Sequence, residues 1–234
     1  ITIKCSFISY CIIALAAISG CARLPDYARP RSGVWVSESA MIEEAFTYRQ
    51  LSRSDFRSTA LPPDRTMHES SINAYTCARI RPTQGSRYTV NRAQYNDKVF
   101  YIGSIQNIGF EAIMIPGCSW WNPALPAVAH SYVLQHEQIH FAIVELTARQ
   151  LTTKARQSAL TFMAIQPNSG AAMAEVNDTV NTWIRAATEE SLDMHTAFDE
   201  DTSLFHSPKW QHRWKEKIDS KLAKFEPAAS TGKE

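Results

Sequence analysis

Hydrophobic and polar positions along this chain change their period part-way. Between about residues 46 and 118 the apolar residues come in short runs rich in β-branched and aromatic side chains: Ala74-Tyr75-Thr76-Cys77-Ala78-Arg79-Ile80, Ser86 to Val90, Lys98-Val99-Phe100-Tyr101-Ile102, and Phe110 to Ile115. Such runs, punctuated by Pro62-Pro63-Asp64 and Gln84-Gly85, predict a small antiparallel sheet. Pro116 to Pro123 ends it. From Pro126 to about Arg156 neither Gly nor Pro follows the first residue, and Val133, Ile139, Phe141, Ile143, Val144, Leu146 and Leu151 make the stretch largely apolar. This predicts a long, buried helix. Gln166-Pro167-Asn168-Ser169-Gly170 marks a break, with Ser169 as the expected N-cap. A second helix is predicted from about Ala171 to Phe198, with Met173, Val176, Val180, Trp183, Ala187, Met194 and Phe198 on or near one stripe. A third runs from about Pro208 to Phe225, with proline in its first turn. The fold class expected is α+β, a sheet first and helices after.

The first twenty residues belong to another class of segment. Lys4 is the only charge before an apolar run from Phe7 to Ile18, short for a bilayer span and similar to a signal-peptide core. The run ends Ile18-Ser19-Gly20-Cys21, which resembles a bacterial lipobox, with cleavage before Cys21 and acylation of that cysteine. Residues 1–20 are therefore expected to be a lipoprotein signal peptide, against an uncleaved anchor or an ordinary signal peptide with a coincidental cysteine, and 21–45, with Pro25, Pro30 and Gly33, a tether. The domain proper is expected over 46–225, β-rich over 46–118 and helical over 124–225, with a small, polar tail over 226–234 that frays. A lipid-anchored protein of the bacterial cell envelope follows, placed at the outer membrane because Ala22, not Asp, comes after the cysteine.

Cysteine usage agrees with that compartment. Cys5 and Cys11 leave with the signal segment and Cys21 carries lipid, so Cys77 and Cys118 remain as one candidate disulfide, against two buried thiols. Such a bond stabilises by roughly 3–4 kcal/mol on a chain-entropy argument. At 234 residues and a formal charge of +1, with no basic run, the chain lacks the signature of a nucleic-acid binder.

One short segment specifies a chemistry. In Gln135-His136-Glu137-Gln138-Ile139-His140-Phe141, two histidines four apart lie about 40° apart around a helix, so both imidazoles leave one face and can close on one ion. Glu137 sits beside that ion without ligating it. Zn²⁺ takes imidazole nitrogens readily and lowers the pKa of a coordinated water to about 7, after which a carboxylate can take the proton. A solvated helix face carrying the same residues by coincidence is the plain alternative, and the apolar character of the surrounding helix argues against it.

A catalytic zinc has three protein ligands and one open position. Glu145, five residues past His140, lies about 140° around the helix from it and cannot share the ion on a straight helix; it reads as a buried residue or one supporting the site, with a surface salt bridge as the plain alternative. Two stretches downstream supply candidates: Glu189 in Glu189-Glu190-Ser191-Leu192-Asp193, and His206 at the end of Asp199-Glu200-Asp201-Thr202-Ser203-Leu204-Phe205-His206-Ser207. His130, His195 and His212 read as structural or surface residues.

The segment from His136 to Leu146 resembles the signature H-E-Q-x-H-F-D-I-x-E of a bacterial domain-of-unknown-function family described as secreted zinc-dependent proteases. That family continues with Y-D-x-x-T-x-H-[GS] and a later Trp, and here Phe198-Asp199, Thr202, His206-Ser207 and Trp214 follow in order. Leu51-Ser52-Arg53-Ser54-Asp55-Phe56 resembles its L-x-W-x-D-F opening, and Ser119-Trp120 its S-W. The resemblance spans about residues 47 to 220. Ala142 replaces the usual Asp, Arg53 the usual Trp, and the Thr202-to-His206 spacing is two residues longer. It implies a zincin-like zinc peptidase with His136, His140 and His206 as ligands, Asp199 supporting them, and Glu137 as general base. Protein or peptide would be the substrate. The alternatives are a metal-dependent amidase acting on peptidoglycan, or a non-catalytic envelope lipoprotein that keeps the scaffold for binding.

Overall fold

The computed structural model describes residues 23–25, 28–29, 44–203 and 206–225. The expected signal segment, Cys5, Cys11, the expected lipidation site Cys21, most of the expected tether and residues 226–234 lie outside the described residues. The fold is α+β. In chain order it contains β1 (Phe46–Thr47), β2 (Ala74–Tyr75), β3 (Ala78–Pro82), β4 (Arg87–Tyr95), β5 (Lys98–Asn107), β6 (Phe110–Met114) and β7 (Trp120–Trp121). These are followed by α1 (His130–Ala159), β8 (Ala164–Gln166), α2 (Ser169–Thr202) and α3 (Pro208–Ala223). Among the described residues these strands pair antiparallel, in sheets ordered β1-β6-β3, β2-β7 and β4-β5-β8, and one isolated parallel bridge joins Ser58 to Trp120.

The strands follow the apolar runs, with longer ends. β4 and β5 extend to meet at Asn96-Asp97, whose φ values of 47° and 59° give the doubly left-handed turn that suits a two-residue hairpin. β8 is a departure from the expected order, because this three-residue strand after α1 returns to pair with β5. The second helix also starts earlier than expected. Its N-cap is Asn168, not Ser169, with the Asn168 side chain accepting from the Ala171 N–H at 2.8 Å.

α1 is central, which is why it is apolar on more than one side. Phe141 and Val133 pack with Leu51, Phe56, Met114 and Trp121, while Ile139, Ala142, Ile143 and Leu146 meet Phe198, Trp214, Ile218 and Leu222 of the other two helices. Ala142, where the resembled family carries Asp, is inside this second cluster and 3% exposed, a poor place for a carboxylate. Glu145 is buried but bonded: Oε2 accepts from the Ala112 N–H at 3.1 Å and Oε1 from Arg149 Nε at 2.7 Å. That pins α1 to β6.

α2 is seated just as closely. A Cβ at Gly103 of β5 would come within 2.8 Å of Val176 Cγ2 and 2.9 Å of the Ala172 carbonyl, so only glycine allows this approach. Cys77 and Cys118 form a disulfide that joins the start of β3 to the turn before β7. With α1 and α2 both held against strands, their facing side chains are fixed where they meet.

Candidate metal centre

His136 and His140 leave α1 on the face turned toward the C-terminal part of α2. His136 Nε2 lies 3.0 Å from His140 Nε2, and Asp199 Oδ1 of α2 lies 3.0 Å from the first and 2.8 Å from the second. These three residues form a group with the spacing of a metal site. All are held in place. Phe198 stacks on the His136 ring at 4.5 Å between centroids, and Asp199 is 8% exposed.

The outer nitrogens decide what the inner ones can do. Thr202 Oγ1 donates to the Phe198 carbonyl at 2.6 Å, which leaves its lone pair to accept from His136 Nδ1 at 3.3 Å. His140 Nδ1 faces His195 Nδ1 at 2.8 Å. Burial, and then the nearby His140, push His195 down to about 3, so its ring is neutral near pH 7 and offers a lone pair. In the tautomers that put the hydrogen on both Nδ1 positions, with His195 and Thr202 accepting, both Nε2 atoms present lone pairs beside a carboxylate oxygen. In that arrangement three acceptors meet, and a cation among them offsets their repulsion.

Without a metal, a proton fills that role. Burial alone disfavours charge on His140, but the Asp199 carboxylate beside it prevails and raises its pKa. Burial likewise opposes the Asp199 charge, and the two histidines outweigh it, holding this carboxyl well below the usual range. A divalent ion fits the same place. Two imidazole nitrogens and one carboxylate oxygen are a familiar zinc donor set, and ligand atoms on a tetrahedron with bonds of about 2.0–2.1 Å sit about 3.3 Å apart. The trio needs to open by only a few tenths of an ångström.

Glu137 is buried on the same cleft and fixed by the Thr76 hydroxyl, which donates to Oε2 at 2.7 Å. The cleft, of about 1130 Å³, runs between α2 and the segment from Tyr75 through β3. β3 is the outer strand of its sheet, and its Ala78, Arg79 and Ile80 line the cleft.

The other expected site residues lie elsewhere. His206 is not in the ligand group: its ring packs on Tyr132 at 4.3 Å between centroids. The reason is that α2 continues unbroken to Thr202, so Asp199 reaches the imidazoles one turn before the helix ends. Asp199, expected only to support, is instead the third member of the group that could hold a metal ion. Glu189 borders the cleft but lies ten residues, about 15 Å of helix, before Asp199. Glu145 bonds to β6 and Arg149, away from the group. His195, read from sequence as structural or surface, is 9% exposed and bonded to His140. His130 bonds the Leu125 carbonyl at 3.1 Å, and His212 lies 3.3 Å from Glu216 on the surface.

The sequence reads His195 as structural or surface, gives Thr202 only as a match to the resembled motif with no role, and misses Thr76. The first two had a signal, since His195, Asp199 and Thr202 are spaced four and three apart and must share one stripe of α2. Thr76 had none. Compared with known proteins, the chain matches no family model, no curated protein and no solved structure.

Proposed function

We propose that the protein is a zinc-dependent peptidase in which His136, His140 and Asp199 hold the metal and Glu137 is the general base. The observation carrying this reading is the convergence of two imidazole Nε2 atoms and one carboxylate oxygen within 3.0 Å, in a cleft that also holds the Glu137 carboxylate. Bound zinc supplies Lewis acidity toward a water and a substrate carbonyl. Glu137 takes the proton from the attacking water and passes it to the departing amine, with Thr76 holding the carboxylate in position. His195 and Thr202 keep the two imidazoles in the tautomer that ligates.

A polypeptide substrate is favoured over a small molecule by the shape of the cleft. β3, an outer strand lining one wall, offers backbone groups to an extended chain. An envelope location, with Cys21 acylated, goes with this reading, and the Cys77–Cys118 disulfide suits an oxidising compartment.

Metal analysis of the purified chain, followed by incubation with casein and with cell-wall peptides, tests the reading. Stoichiometric zinc and cleavage that a chelator abolishes and zinc restores are expected. Zinc without cleavage of either would leave a binding role, and no zinc at all would remove the proposal.

A further inference from the structure

We infer that α3 is a docking surface for an anionic phospholipid membrane, separate from the metal centre. The helix segregates its charges. Gln211, Trp214, Ile218 and Leu222 face the core, and on the flank beside them Trp210, Arg213, Lys217, Lys221 and, just past the end, Lys224 recur every three or four residues. At 100° per residue these five fall within about 80° of helix circumference, over about 21 Å of length.

Both acidic residues of α3 are on the other flank and are already engaged: Asp219 with Lys215 at 2.5 Å and Glu216 with His212 at 3.3 Å. Among the described residues Arg213, Lys217, Lys221 and Lys224 form no ion pair. Arg213 lies 4.8 Å over the Trp210 ring and Lys217 4.0 Å over the Trp214 ring, contacts that leave the charged heads toward solvent.

An ordinary solvated helix face intersperses both signs of charge and keeps aromatics covered. This one does neither. Trp210 is 48% exposed at its start and Phe225 37% exposed at its end. Exposed aromatic rings flanking a row of cations are the composition of a surface that sits at the headgroup level of a membrane. The approach of the N-terminal segment favours a membrane over a nucleic acid or an acidic protein. Leu24 is buried, and its N–H donates to Glu200 Oε1 at 3.2 Å, near the end of α2 from which the chain passes on to α3. Leu24 follows Cys21 by three residues, a reach of about 10 Å at most. A lipid on Cys21 would hold this end of the domain at a bilayer, where the basic stripe would fix its orientation. The stripe is a property of α3 alone and holds whether or not Cys21 is acylated.

The test is sedimentation of the full chain with phosphatidylcholine vesicles, with and without phosphatidylglycerol. Each cation near an anionic surface contributes about fivefold. The expected result is a partition coefficient at least about tenfold higher on the anionic vesicles, lost on adding salt and lost in the Arg213→Gln, Lys217→Gln, Lys221→Gln, Lys224→Gln variant. Arg213→Lys alone should retain it, and Trp210→Ala should reduce it without changing the melting temperature. An increment that survives in the quadruple variant, or none in the unaltered chain, overturns the inference. So does tighter binding of a short oligonucleotide through the same four residues.

Discussion

His195 Nδ1 lies 2.8 Å from His140 Nδ1, with the two rings 18° from parallel. Two imidazoles can meet this way only if one hydrogen lies between them. An ion on His140 Nε2 puts that hydrogen on His140, so His195 must accept. Replacing His195 by Leu removes the acceptor from a buried donor, and zinc affinity should fall about ten- to a hundredfold. Gln, whose amide oxygen can accept, should recover most of it. Competition with a chromogenic chelator reads both, and equal loss in the two variants would mean that His195 acts only through packing.

The carboxylate of Glu137 has one described role in the resting protein, accepting from Thr76. Glu137→Gln keeps size and a hydrogen-bond partner but cannot take a proton. Turnover on any cleaved peptide should drop about 10²–10⁴-fold, with zinc stoichiometry unchanged. Activity that survives this substitution would rule out the assigned base.

The third ligand separates two readings. Asp199→Asn should weaken zinc binding on the order of a hundredfold, because it takes the negative charge out of a trio whose other members are neutral when metallated. His206→Ala, which strips a ring from Tyr132, should leave zinc affinity within about threefold. The reverse order of effects would return His206 to the ligand set.

How far the sequence could have led is set by the range of the interactions. The α+β class and the three helices were legible because each rests on periodicity within one segment, and His136, Glu137 and His140 because one turn of helix fixes their geometry. β8 was not, since three residues gain their strand character only by pairing with β5. The length of the β4–β5 hairpin was hidden because its turn is Asn96-Asp97, with no glycine to mark it. The position of Asp199 against the histidines depends on how α2 packs across β5 at Gly103, a contact that no local pattern encodes. Glu145 is buried, as one of the two expected readings had it, but its partner is the Ala112 backbone, brought in by the sheet, and not the histidine pair.

Asp55 gives a pH-dependent prediction independent of the metal. Burial opposes its charge, but Arg49 binds both carboxylate oxygens, at 2.9 and 2.7 Å, and the Ser52 N–H donates to Oδ2 at 2.7 Å. The balance lowers its pKa. In the unfolded chain a carboxyl of this type takes its proton near pH 3.9, so between that value and the lower folded one the unfolded state binds more protons. The stabilisation is therefore complete above about pH 4–5 and is lost as pH falls through the folded pKa. Arg49 is half exposed, which screens its share. At pH 7 Asp55→Asn should cost about 1–2 kcal/mol, chiefly from the charge-assisted hydrogen bonds. Urea unfolding of both proteins from pH 7 to pH 3 measures this. The difference between them should shrink steadily below about pH 4, and a difference that grew on acidification would mean that Asp55 is already protonated in the folded protein.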